Sequence, residues 1–134
     1  LTSDRVWLAD SRLLLQNGFT IVEQQPPFSL LVKKFKKAPD PALYNDWQQR
    51  SSRYKKGLTV FRTDQCPYIE DAARTVREAA EEKGIGFREI VLSSARQVQE
   101  QAPSPYGVFS IVYKGKLLSY HYMLPKDLLP LLGE

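Results

Sequence analysis

The sequence predicts an α/β fold: a mixed sheet in the order β-α-β-α-β-β-α over residues 57–134, preceded by a helix and two strands over residues 1–37. Three observations predict it. The apolar run Leu58-Thr59-Val60-Phe61 leads into a stretch where Ile69, Ala72, Ala73, Val76, Ala79 and Ala80 recur every three or four residues, the spacing of one helix face. A second apolar run at 87–92, "FREIVL", follows at a distance that suits a right-handed crossover between parallel strands. Two β-rich runs then meet at Lys114-Gly115-Lys116, which reads as the turn of a hairpin. A parallel pair joined to a hairpin makes a mixed sheet with helices on its faces.

At the start of the chain, Trp7, Leu8, Arg12 and Leu15 fall at helical spacing, and Gly18 stands where a helix end takes a left-handed φ. "FTIVEQ" (19–24) and "FSLLVKKF" (28–35) are rich in β-branched and apolar residues and read as strands. One helix and two strands bury little by themselves, so residues 1–37 are expected to need the second block, another chain or a missing N-terminal part. Residues 38–56 follow, with Pro39 and Pro41 among them. Between Lys33 and Lys56 eight basic residues face only Asp40 and Asp46. Such a stretch attracts nucleic acid or phosphates, but the plain reading is a solvated basic linker. "KKFKK" around Phe35 has no nucleic-acid-binding signature beside it, and nucleic acid is not favoured as a partner.

In the second block Lys83 and Gly84 close the long helix. "SSARQVQEQA" (93–102) reads as a short helix capped by Ser93 or Ser94. "PSPYG" (103–107) is a turn with two prolines. Pro125 opens a last helix, "PKDLLPLL".

The 134 residues are 43% hydrophobic, enough for a folded core, and carry a net charge of +4. One cysteine, Cys66, rules out an internal disulfide and suits a reducing, cytoplasmic location. No run reaches the roughly 18–20 apolar residues that cross a bilayer, and no membrane partner is expected. There is no CxxC, no second histidine beside His121 for a metal site, and no phosphate-binding GxxxxGK[ST] loop.

Cys66-Pro67-Tyr68-Ile69 stands at the first strand-to-helix junction of residues 57–134, and Pro105 precedes Val108-Phe109 at the next strand. This resembles the thioredoxin fold, and in particular the Cys-Pro-Tyr-Cys turn of dithiol glutaredoxins with Ile69 in place of the second cysteine. The resemblance implies a thioredoxin-like domain with Cys66 as the reactive thiol and Pro105 in the place of the family's cis-proline. It also implies Pro67, Tyr68, Tyr106 and His121 as supporting residues, with Tyr120 and Tyr122 rimming the thiol. Because Ile69 cannot resolve a mixed disulfide, a redox cycle needs an outside thiol such as glutathione. The family's Gly-Gly pair is replaced by "SYHYMLPKD", which puts glutathione binding in doubt.

"LADSRLLLQNGFTIVEQQPPFSLLVKKF", with its Gly18-Phe19 pair, resembles the closing helix and strands of GNAT-type N-acetyltransferases. The whole resembles YoaP-like proteins, in which a thioredoxin-like C-terminal domain follows a GNAT domain. That implies an acetyltransferase parent using acetyl-CoA, with residues 1–37 as the end of its GNAT domain. It also implies an accessory role in substrate binding or docking for residues 57–134, and a small molecule as a candidate substrate. The family's pyrophosphate-binding loop is absent, and Leu14 falls near the place of its general-acid tyrosine. The chain by itself is therefore expected to bind no cofactor and transfer no acetyl group.

At the N-cap of a helix, Cys66 meets unsatisfied N–H groups and the positive end of the helix dipole, and both favour the nucleophilic thiolate. Asp64, Glu70 and Asp71 oppose a further negative charge, and Arg62 offsets them in part. Two alternatives stay open. Free cysteine is often a buried, inert packing residue. His121 either polarises a substrate or is a hydrogen-bonded residue at a strand end.

Overall fold

The computed structural model describes residues 1–3 and 8–133. They form two compact units, Leu1–Asn45 and Asp46–Glu134.

In the first unit β1 (Thr2–Ser3), β2 (Thr20–Gln25) and β3 (Phe28–Val32) form an antiparallel sheet in the order β1-β3-β2. The short β1 adds a strand that the sequence did not suggest. α1 (Ser11–Gln16) is shorter than the helical spacing implied, and Trp7 lies outside the described residues. Asp10 starts α1, accepting the Arg12 backbone N–H at 2.8 Å. Gly18, at φ +80°, ends it as expected. With six residues α1 buries no side chain, and Leu13 and Leu15 are exposed. β2 and β3 meet across Pro26-Pro27, with Gln25 opposite Phe28. Phe28 and Leu31 are buried.

In the second unit α2 (Trp47–Ser52) precedes β4 (Leu58–Arg62), α3 (Pro67–Glu82), β5 (Phe87–Val91), α4 (Ala95–Gln101), β6 (Phe109–Tyr113), β7 (Lys116–Ser119) and α5 (Pro125–Leu128). A 3-10 turn, Leu129–Leu132, ends the chain. The mixed sheet runs β5-β4-β6-β7, with β4 and β5 parallel and the other pairs antiparallel. The predicted element order from β4 onward is the observed one. The hairpin turn is tighter than the three residues suggested: Lys114 and Gly115 both take positive φ, the two-residue form that matches strand twist, and Lys116 already belongs to β7.

β4 is apolar on both faces because both faces are covered. Leu58 and Val60 join Ile111, Phe109, Leu128 and the α3 residues Ala72, Ala73, Val76, Ala79 and Ala80 in one core cluster. Phe61 turns the other way, to Val112, Leu92 and Ala102, with Tyr54 and Val98 packed on them. The alanine-rich face of α3 allows close approach to the sheet. Leu58 N–H donates to Gly86 O at 2.8 Å, so the chain passes Gly57 and Gly86 back to back.

One expectation is corrected here. Residues 46–56 are not part of an open linker: they fold as α2 and its exit within the second unit, and Trp47, Arg50 and Ser51 are buried. Arg50 donates through Nη1 to Gln99 O at 2.6 Å and Ala102 O at 3.3 Å, and through Nη2 to Asp46 at 2.7 Å. This ties α2 to the C-terminal end of α4. A polar helix of six residues carries no readable periodicity, so its basic composition concealed it.

Candidate functional site

β4 ends at Arg62, and the chain leaves the sheet through Thr63-Asp64-Gln65 to Cys66. Cys66 is the N-cap of the 16-residue α3, with extended backbone at φ −147° and ψ 133°, and Pro67 opens the helix. Proline suits that place because the first helical N–H needs no intrahelical acceptor. The Ile69 N–H donates to Cys66 O at 3.0 Å. Cys66 is half-buried, and its Sγ makes no hydrogen bond among the described residues.

Ile69, where a dithiol turn has its second cysteine, is partly buried against the α3 core cluster. Tyr122 packs against the same cluster. Tyr68 is 77% exposed and lies on the surface beside the turn.

The loop with Pro105 and Tyr106 is joined to the Cys66 loop across the sheet. The Thr63 N–H donates to Val108 O at 3.0 Å, continuing the β4–β6 ladder beyond Arg62 and Phe109. Tyr106 meets Tyr120 edge to face with centroids 6.0 Å apart, and Tyr120 meets His121 at 5.4 Å. Tyr106, Tyr120 and His121 thus form an aromatic row at the β6–β7 end. His121 is held at the end of β7: its N–H donates to Ser119 Oγ at 3.2 Å, and Nδ1 lies 2.7 Å from Tyr122 O. No hydrogen bond joins the row to the thiol among the described residues. Among the described residues the cis peptide bond is Pro26-Pro27, and the bond before Pro105, the residue in the place of the family's cis-proline, is trans.

The charges around the turn are organised by Arg62. Its guanidinium pairs with Asp64 and, through Nε, with Glu89 at 2.5 Å, while Arg77 reaches the other oxygen of Glu89 at 2.5 Å. Asp71 pairs with Arg74 at 2.7 Å. Two of the three acids expected to oppose a thiolate therefore have arginine partners. The Arg62 hydrogen bond is the main cause that holds the Glu89 carboxyl below its ordinary value; burial opposes it, and the hydrogen bond from Arg77 adds to the lowering. Unfolded Glu89 then binds protons more readily than folded Glu89, so its contribution is fully present above the ordinary glutamate range. That contribution fades as pH falls through the depressed folded value. Replacing Glu89, 18% exposed, by glutamine is expected to cost about 1 kcal/mol at neutral pH and to flatten the acid limb of the stability curve. Urea melts at several pH values would read this, and a parallel acid limb in both proteins would refute it.

Two clefts flank these groups. One, of about 340 Å³, is lined by Thr63, Asp64, Gln65, Ser93, Ser94 and Val98 among others. The other, of about 360 Å³, lies between α3 and the sheet and is lined by Arg62, Glu70, Asp71, Ala73, Arg74, Arg77 and Glu89. Arg74, Arg77 and Glu89 had not been singled out in the sequence. Glu70, Arg74 and Arg77 do share a helix face by spacing, but Glu89 reaches them only through the parallel pairing of β4 and β5. Among the described residues no three His, Cys, Asp or Glu side chains gather as metal ligands, and no helix is long and apolar enough to cross a membrane.

No family model matches the chain, and no solved structure matches it. The chain is 28% identical over 118 residues to a protein of Bacillus subtilis (strain 168), "Uncharacterized N-acetyltransferase YoaP". The chain is homologous to YoaP. The match covers 87% of this chain and 47% of YoaP, so the chain spans about half the length of that relative. The 118 matched residues outnumber those of Asp46–Glu134, so the similarity to YoaP extends into both units.

Proposed function

We propose that the chain is the C-terminal, accessory portion of a GNAT-type N-acetyltransferase-like protein. In this reading residues 1–37 end a GNAT domain that is completed by an N-terminal part or another chain. Residues 46–134 are a thioredoxin- or glutaredoxin-like domain that contributes substrate binding or docking near Cys66. Acetyl-CoA binds the parent through parts outside these residues, the acceptor is a small molecule, and the setting is cytoplasmic.

The similarity to YoaP across both units carries this reading. The strand order β5-β4-β6-β7, with Cys66 at the head of the crossover helix, supports its second half. The test is acetyl transfer by a longer protein carrying this chain, before and after removal of residues 46–134. Loss of a substrate-binding unit is expected to raise KM for the acceptor about tenfold, the effect of one or two lost polar contacts. Unchanged kcat and KM would refute a substrate-binding role.

A second reading, a monothiol oxidoreductase, is favoured by the half-buried Cys66 at the N-cap with no hydrogen bond to its sulfur. It expects Cys66 to alkylate faster than a free cysteine at neutral pH and to form a glutathione adduct. An unreactive thiol in the folded chain would instead mean a structural remnant of a redox fold.

A further inference from the structure

We propose that the cleft between α3 and the sheet binds a small zwitterion, a molecule carrying both an ammonium and a carboxylate group, such as a free α-amino acid. This rests on the substrate-binding reading above and names its ligand class.

The cleft, about 360 Å³, has room for one such molecule, and Ala73 is the only apolar residue in its lining. Three guanidinium groups and three carboxylates line it, so its charges balance, but they are unevenly shared. Glu89 is held by both Arg62 and Arg77. Towards the start of α3, Asp71 pairs with Arg74, while Glu70 has no hydrogen bond or ion pair among the described residues. Arg62 also pairs with Asp64, so the donors left over beside Glu89 are those of Arg77, and the carboxylate left without a partner among the described residues is Glu70. Arg74 stands one helical turn from Glu70, about 6 Å along the axis, and Arg77 nearly one turn further.

A ligand ammonium meets Glu70, and the ligand carboxylate meets the guanidinium groups. Arg77 uses one nitrogen on Glu89 and keeps further donors. The Arg74–Asp71 pair is exposed on both sides, and such pairs contribute little, so Arg74 is open to exchange. A simple anion in this space faces Glu70 and Asp71, and a simple cation faces three guanidiniums. Only a molecule with both charges satisfies both ends.

The test is an amide NMR titration of the 134-residue chain with L-serine, L-serinamide and N-acetyl-L-serine, with L-glutamine and L-leucine added to span side-chain size. The three amino acids are expected to move signals in 70–77 saturably. Removing either charge should weaken binding about tenfold or more, as loss of a charge-assisted hydrogen bond does. Glu70→Gln should abolish the preference for serine over N-acetylserine, and Arg74→Gln the preference over serinamide. Both positions are exposed, and far-UV circular dichroism checks the helix. No saturable shift with any of the three amino acids, equal binding of all serine derivatives, or unchanged preferences in the variants would overturn the proposal. Zwitterion binding, with acetyl transfer indifferent to removal of residues 46–134, defeats the accessory reading alone. The reverse pair of results defeats this proposal alone.

Discussion

Gly57→Ala is expected to destabilise the second unit by about 3 kcal/mol, lowering its Tm by on the order of 15 °C. Two costs combine. Gly57 sits at φ +64°, where a side chain is strained. A Cβ there would also lie well inside van der Waals contact of the Gly86 carbonyl oxygen. That oxygen cannot move aside, because it accepts the Leu58 N–H at 2.8 Å and so holds the first rung between β4 and the entry to β5. Gly84 separates the two costs: its φ is +62°, but an added Cβ meets nothing within 4 Å. Gly84→Ala should therefore cost only about 1 kcal/mol, the strain alone. Thermal melts of the two variants decide the point, and equal losses would mean that the backbone contact at Gly57 contributes nothing.

Arg50→Met is expected to cost about 2–3 kcal/mol and to release α2 before the rest of the unit unfolds. Methionine keeps much of the apolar stem, so what is lost is the guanidinium. Gln99 O and Ala102 O, at the end of α4, then lose a charged donor in a place where water has little access. Asp46, the other partner, is half-exposed and is expected to tolerate replacement by asparagine with little change. Limited trypsin digestion should cut the Arg50→Met protein at Arg53, Lys55 or Lys56 under conditions that leave the parent chain intact. An unchanged melt together with unchanged digestion would show that α2 is held by its apolar contacts instead.

The elements from β4 to α5 could be read from the sequence because each carries a local signal. The alanine and valine spacing of α3 records a helix with one buried face, and Pro67 and Pro125 mark the two starts. Gly18 and Gly115 mark backbone that other residues avoid. The place of Cys66 at the head of α3 followed from the same local rules. α2 and β1 could not be read, since a six-residue polar helix and a two-residue strand are shorter than any period.

By itself, then, the sequence determined the order of the second unit's elements, the lone thiol at a strand-to-helix junction and the absence of a second cysteine. These depend on neighbours along the chain, where steric and hydrogen-bonding preferences act directly. Tertiary structure alone decided that β4 lies between β5 and β6, that Arg50 reaches across some fifty residues to the end of α4, and that Arg62, Arg77 and Glu89 face one cleft. Those outcomes depend on which apolar faces can be buried together. Burial is a property of the assembled core, and only once it is formed are the charged side chains at its margin left with each other as neighbours.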